Sequence, residues 1–266
     1  MNNNNLKTSL TLSETITITS MLFGMFFGAG NLIFPVYMGQ MAGSNVWPAI
    51  IGFIITGVGL PLLGVAALGI SKSNGLQELS SKVSRKYGVF FTCALYLTIG
   101  PLFAIPRCAT VPFEAGVVHT VGNSVSPTIA LAVFSGIFFV AVLAFSLKPG
   151  KIMTWIGKIL NPLFLCCLAI FVIAAFLSPG ASISEVTPEA NYQTGAFFNG
   201  FLEGYNTLDA LASLAFGIVV INVIKGLGIE RPEDIATNTV KAGVFSCIMM
   251  GIIYVCITVV GVQSRG

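Results

Sequence analysis

Residues 22–36, LFGMFFGAGNLIFPV, decide how this chain is to be read. They sit in an apolar stretch with no Lys, Arg, Asp or Glu between Glu14 and Lys72. Such a stretch is long enough to cross a bilayer. Yet Gly28-Ala29-Gly30-Asn31, followed by Pro35, falls at mid-depth. Gly and Pro weaken a helix, and a broken turn frees polar backbone groups that lipid cannot satisfy. A break of this kind survives where it faces protein, water or a bound solute. It therefore marks a candidate binding site.

The surrounding composition sets the solvent. Of the 266 residues 55% are hydrophobic and 9% charged, against about 25% charged in a soluble domain. A polytopic all-α membrane protein follows. The net charge of +3 gives no case for nucleic-acid binding. Cys93, Cys108, Cys166, Cys167, Cys247 and Cys256 lie in apolar stretches without metal-ligand spacing, and read as small buried apolar side chains. The polar start MNNNNLKTS is not followed by a short apolar core with a cleavage site, so a cleaved signal peptide is not expected.

Seven spans are expected, near 14–40, 46–70, 88–117, 127–147, 156–177, 197–223 and 238–262. Pro101, Pro106 and Pro112 should kink span 3. Pro48 suits the first turn of span 2, and Pro61 should bend it. Eleven of the thirteen basic residues then fall on one side: Lys7, the cluster from Lys72 to Lys86, Lys148 to Lys158, and Lys225 to Lys241. His119, Glu185 and Glu189 lie on the other, with Arg265 just past span 7, and Arg107 is inside span 3. By the positive-inside rule the N-terminus is cytoplasmic.

Span 6, FFNGFLEGYNTLDALASLAFGIVV, carries the second anomaly. Glu203, Gly204, Asn206, Thr207 and Asp209 fall within seven residues of one apolar run. Charged groups there line a cavity or find a partner. At helical rise, Gly28 lies roughly 20 Å into span 1 and Asp209 roughly 17 Å into span 6, both near the middle of the membrane. Span 1 enters from inside and span 6 from outside. Two interrupted helices that open successive five-helix units of opposite orientation point to an inverted-repeat transporter. The units are residues 1–177 and 178–266. The half-helix after Gly28–Asn31 offers free N–H groups to a carboxylate. Unwound backbone near Tyr205–Thr207 offers carbonyls to an ammonium or metal cation. Phe26, Phe27, Leu208 and Ala212 would wall an aliphatic side chain. A zwitterion with an apolar side chain fits.

FGAGNLIFP, GPLFAIPRCATVPFE and EGYNTLDALASLAFG occur in that order along the chain. They resemble the branched-chain amino acid:cation symporter family, of the amino acid–polyamine–organocation superfamily. The resemblance covers the whole chain. It implies the fold of the bacterial leucine transporter, with broken helices 1 and 6. It implies import of leucine, isoleucine and valine through the bacterial inner membrane, driven by Na⁺ or H⁺, with no other cofactor. By motif match, Gly28, Ala29, Gly30 and Asn31 would contact substrate carboxylate and cation, and Tyr205, Asn206 and Thr207 the substrate amine. Phe26, Gly28 and Asp209 are the positions for cation or proton coupling. The family's fold also takes spans 8 to 12, which are not in this sequence. The second repeat is thus two-fifths present, and these 266 residues alone are not expected to transport.

Each residue also has a plainer reading. Gly24 and Gly28 form a GxxxG contact pattern, and Asn31 can cap the half-helix. Asp209 is either a proton carrier or cation ligand, or a structural carboxylate bonded to a neighbouring helix. Arg107 pairs with Glu203 or Glu114, as an outer gate or as a permanent ion pair that orients span 3. Glu14 stabilises the start of span 1, with Ser13 as cap. His119 is a solvated loop residue. Arg231-Pro232-Glu233-Asp234 is a helix start. No Walker loop, His-Glu-x-x-His or nucleophile elbow occurs, so an enzyme is not expected. The competing functions are transport of another amino acid or a nucleobase, and a channel or receptor-like subunit. A channel wants a continuous polar stripe, and spans 4 and 5 carry no charge in their interiors.

Overall fold

A computed structural model describes residues 7–120, 126–147, 159–178 and 180–265. The described residues are helical, without strands. Five helical stretches are long and apolar enough to cross a membrane: Ala29–Ile70, Arg85–Thr120, Pro127–Ser146, Ala190–Gly226 and Pro232–Gln263. Leu12–Phe26 and Asn161–Leu177 are shorter apolar helices. Lys148, Lys151 and Lys158 lie outside the described residues.

The first apolar stretch is two helices, α1 (Leu12–Phe26) and α2 (Ala29–Ala42). Thr11, rather than Ser13, caps α1. Its hydroxyl accepts the Glu14 N–H at 3.3 Å, while the Glu14 carboxylate accepts the Thr11 N–H at 2.8 Å. This reciprocal pair needs the acid three residues beyond the cap, which places the cap at Thr11. Span 2 runs as α3 (Val46–Ile54), a wide π turn over Ile55–Gly59, and α4 (Leu60–Ile70). Pro48 and Pro61 sit in the first turns of α3 and α4, where a missing N–H costs little. The short α5 (Leu76–Ser81) follows. Beside it, the backbone and side-chain N–H groups of Asn74 hold the exposed Glu78 carboxylate below its ordinary pKa.

Span 3 is kinked as its prolines require. It divides into α6 (Arg85–Leu97), a π turn with Gly100 in non-helical geometry, α7 (Ala104–Pro112), a second π turn and α8 (Val118–Thr120). Then come α9 (Pro127–Ser146), α10 (Asn161–Leu177), α11 (Ala190–Asn206), α12 (Asp209–Gly226) and α13 (Pro232–Gln263). Pro232 stands at the start of α13 with Glu233 and Asp234 in its first turn, as its sequence indicates.

The core lies between spans 1, 2, 6 and 7. Here α2 packs on α13, α11 on α3, and α12 on α4. Small residues permit the approach, since apolar burial cannot drive helices together in lipid. A Cβ on Gly39 would strike the Thr258 carbonyl, and one on Gly261 the Val36 carbonyl. Gly52 faces the Phe197 carbonyl and Gly200 the Ala49 carbonyl in the same way. The broken span 1 thus seats on span 7, and the broken span 6 on span 2. By contrast α9 has no buried residue, and α10 has two, Asn161 and Leu168.

Polar contacts collect at two ends. Lys7 binds Glu14 at 2.6 Å and the Leu227 carbonyl at 3.4 Å, and Lys225 reaches Asn74 at 3.2 Å. At the other end Arg265 binds Glu189 at 3.0 Å and the Gln40 carbonyl at 2.9 Å, and Ser44 binds the Val186 carbonyl at 2.9 Å. Of the loops assigned to one side by their charge, the described ones, around Lys7, Lys72 and Lys225, share one end of the core.

The cysteine reading is corrected. Only Cys247 is buried; Cys93, Cys108, Cys166 and Cys167 are exposed, and all six are free. The four exposed ones lie on α6, α7 and α10, helices with few neighbours. An apolar residue in a membrane protein needs an apolar environment, and lipid supplies one as well as protein does.

Candidate functional site

Two breaks define the site. In span 1 the helix stops at Phe26 and restarts at Ala29, with Phe27 and Gly28 extended. This is tighter than the expected Gly28–Asn31 interruption: Asn31 is already in the first turn of α2. In span 6 the helix stops at Asn206 and restarts at Asp209. Here Leu208 takes the left-handed conformation, φ 67° and ψ 8°, which costs a non-glycine residue about 1–2 kcal/mol. The unwound residues are Thr207 and Leu208, not Tyr205–Thr207. Gly204 instead serves packing, because a Cβ there would strike Thr56 and the Phe53 carbonyl.

The breaks face each other through a buried polar node. The Asn31 amide nitrogen donates to Asp209 Oδ2 and to the Tyr254 hydroxyl, and that hydroxyl donates to Asp209 Oδ2 at 3.0 Å. Asn31 Oδ1 accepts the Gly28 N–H at 2.9 Å, so one side chain also caps the broken turn. Asn31, Asp209 and Tyr254 are 2%, 3% and 1% exposed, which means that protein partners alone satisfy them. The Tyr254 ring lies 5.9 Å from that of Phe27 and 5.0 Å, edge-on, from Phe53. Asp209 opens α12 and Asn31 lies in the first turn of α2. The positive ends of two half-helices therefore converge on one carboxylate.

Opposite the node the seam is open. Gly28, Tyr205 and Asn206 are exposed. Among the described residues the N–H groups of Ala29 and Gly30 have no hydrogen-bond acceptor, and the carbonyls of Phe26 and Thr207 have no donor. The Tyr205 carbonyl already accepts the Leu208 N–H at 3.0 Å, and the Asn206 carbonyl accepts Arg107 Nη1 at 3.1 Å. Unpaired donors on one lip and unpaired acceptors beside them suit a ligand with an anionic and a cationic end.

Residues 11–266 match the branched-chain amino acid transport protein family. The chain belongs to that family. Within the branched-chain amino acid transport protein family it is similar to the branched-chain amino acid permease BrnQ of Lactobacillus delbrueckii subsp. lactis. The two are 52% identical over 260 residues, 98% of this chain and 58% of the relative. The permease BraB of Bacillus subtilis is 44% identical over 97% of the chain and 57% of its own length. The Escherichia coli K12 permease BrnQ is 40% identical over 94% and 56%. The chain thus spans a little over half the length of these curated relatives. No solved structure matches it. The family is one of membrane transport proteins, not enzymes, and the chain is a multi-pass membrane protein.

Three sequence expectations change at the site. Arg107 pairs with neither Glu203 nor Glu114. It donates to the carbonyl end of α11 and lies over the Phe34 and Phe103 rings, 5.2 and 5.5 Å from their centroids. Glu203 turns instead to Asn206 Nδ2, 3.5 Å away. The carbonyl end of a helix is itself an anionic site, so Arg107 needs no carboxylate to be held there. Gly28 is no close-packing glycine, since a Cβ would find ordinary contact with Asn31 Oδ1 at 3.7 Å; it is Gly24 that fits tightly, against Asn161. Of the carbonyls expected to be free at Tyr205–Thr207, those of Tyr205 and Asn206 are engaged. Tyr254, Asn161 and Thr56 were missed. Asn161 and Thr56 are lone polar residues in apolar runs, which is the signal that exposes them; Tyr254 carries no such signal. Asn161 donates to the Ser20 carbonyl at 2.6 Å, and Thr56 to the Phe201 carbonyl at 2.7 Å.

Proposed function

We propose that this protein is a secondary transporter that imports branched-chain amino acids with Na⁺ or H⁺ across the bacterial inner membrane, its N-terminus in the cytoplasm. The observation that carries the reading is the seam between the breaks. Its free Ala29 and Gly30 N–H groups suit the substrate carboxylate, and the Phe26 and Thr207 carbonyls suit its ammonium. Membership of the family, and relatives named as branched-chain amino acid permeases, support the substrate class.

Seven spans with an inverted repeat are part of this reading. Reciprocal seating, span 1 on span 7 and span 6 on span 2, supports it, because an inverted copy exchanges those pairs. Spans 1, 2, 6 and 7 then move as one body against spans 3 to 5, which touch them sparsely. Asp209, with Phe26 and Gly28 of the first break beside it, is the candidate for the coupling cation or proton; the Gly28 carbonyl already accepts the Asn31 N–H at 3.1 Å, which leaves the Phe26 carbonyl as the free backbone acceptor of that break. The node gives Asp209 two hydrogen-bond donors, so a change in its charge acts on both half-helices together.

The test is leucine uptake by the full-length protein in vesicles, with Na⁺ and pH gradients imposed separately. One gradient should accelerate uptake and drive accumulation. Uptake indifferent to both contradicts symport.

A further inference from the structure

Arg107 stands across the seam from the node, beside both breaks. One N–H reaches the last carbonyl of α11, and the guanidinium rests between the Phe34 and Phe103 rings. Its Nη2 occupies the space above Gly30: a Cβ there would lie 2.5 Å from it, so any larger residue would push the guanidinium from its place. Among the described residues no carboxylate pairs with Arg107, and its other N–H groups have no acceptor. A cation inside a span is costly and is kept where it has work. The two rings and one carbonyl hold it in place, and among the described residues the remaining guanidinium N–H groups are left to bind a ligand.

We propose that Arg107 recognises the α-carboxylate of the substrate, jointly with the Ala29 and Gly30 N–H groups. This rests on the amino acid transport reading and adds a residue that selects for the carboxylate itself. An arginine at the seam that any amino acid can pair with would set the class of substrate, while the apolar wall sets the side chain. The alternating partners of the fork are then the bound carboxylate and, when the site is empty, the α11 carbonyl alone.

The test compares leucine with leucinol, which has an alcohol in place of the carboxylate, in equilibrium binding to the full-length protein. Arg107→Gln should weaken leucine about 10- to 100-fold, the scale of a lost charged hydrogen-bond pair, and leave leucinol unchanged. Arg107→Lys should fall between, because it keeps charge and loses the fork. Parallel loss for both ligands, or unaltered leucine affinity, overturns the assignment while leaving the transport reading intact. Absence of saturable leucine binding by the wild-type protein overturns both. Where Arg107→Gln fails to fold, the wild-type protein decides. Leucine, and not leucinol, should protect Arg107 from phenylglyoxal, with Arg85, Arg231 and Arg265 as internal references; equal modification with either ligand refutes the role.

Discussion

The carboxamide of Asn31 answers three polar groups at once: the Gly28 N–H, the Asp209 carboxylate and the Tyr254 hydroxyl. All are buried, so each lost bond leaves an unsatisfied group rather than one that water can satisfy. Tyr254→Phe removes the hydroxyl donor to Asp209 and an acceptor from Asn31. It should cost about 1–3 kcal/mol, read as a lower melting temperature of the detergent-solubilised protein. Asp209→Asn changes the same node, so the double variant should fall short of the summed single losses by about 1 kcal/mol or more. Strict additivity would mean that the two residues do not form one unit. Asn31 and Asp209 were legible as polar residues in apolar spans. Their partnership was not, because 178 residues separate them and no local rule links them. Tyr254 reads as an interfacial or packing aromatic until its depth against Phe27 and Phe53 is known.

At the level of the helix, two kinds of glycine matter and the sequence does not label them. Gly28 opens a turn. Gly204, close to the other break, closes a helix contact instead, and the strain of that break sits on Leu208. Proximity of Gly204 to the polar cluster is why the sequence places the second interruption early. The prolines of spans 2 and 3 were readable outright, whereas Pro35, read with the first break, lies inside the continuous α2. Gly200→Val tests the packing role. Its side chain would meet the Ala49 carbonyl, forcing α11 from α3 at a cost of about 1–3 kcal/mol or more. Gly251→Ala in α13 meets nothing within 4 Å and should stabilise by about 0.5–1 kcal/mol. Both appear as shifts in melting temperature; equal effects would show that the α3–α11 contact is not close.

Across the whole molecule, the pattern of charge proved the most legible feature. Loops containing Lys7, Lys72 and Lys225 gather at one end, and those containing Glu189 and Arg265 at the other. Charge in loops is a surface property, and the sequence displays surfaces. What it hides is how interior helices meet, which depends on shapes distant in sequence. The core of spans 1, 2, 6 and 7 is closed by glycine contacts, while α9 and much of α10 turn their apolar faces outward. On the proposed reading, this core, sparsely joined to the other described spans, is the body that tilts in alternating access and carries the site with it. Broken half-helices are then needed, because they present backbone groups at mid-depth without opening a continuous polar path. The most direct measurement is a structure of the full-length protein with leucine bound. Density for the ligand is expected between the two interruptions, its carboxylate on the Ala29 and Gly30 N–H groups beside Arg107, its ammonium toward Phe26 and Thr207. Leucine bound elsewhere, or spans 1 and 6 rewound into continuous helices around it, would contradict a shared site.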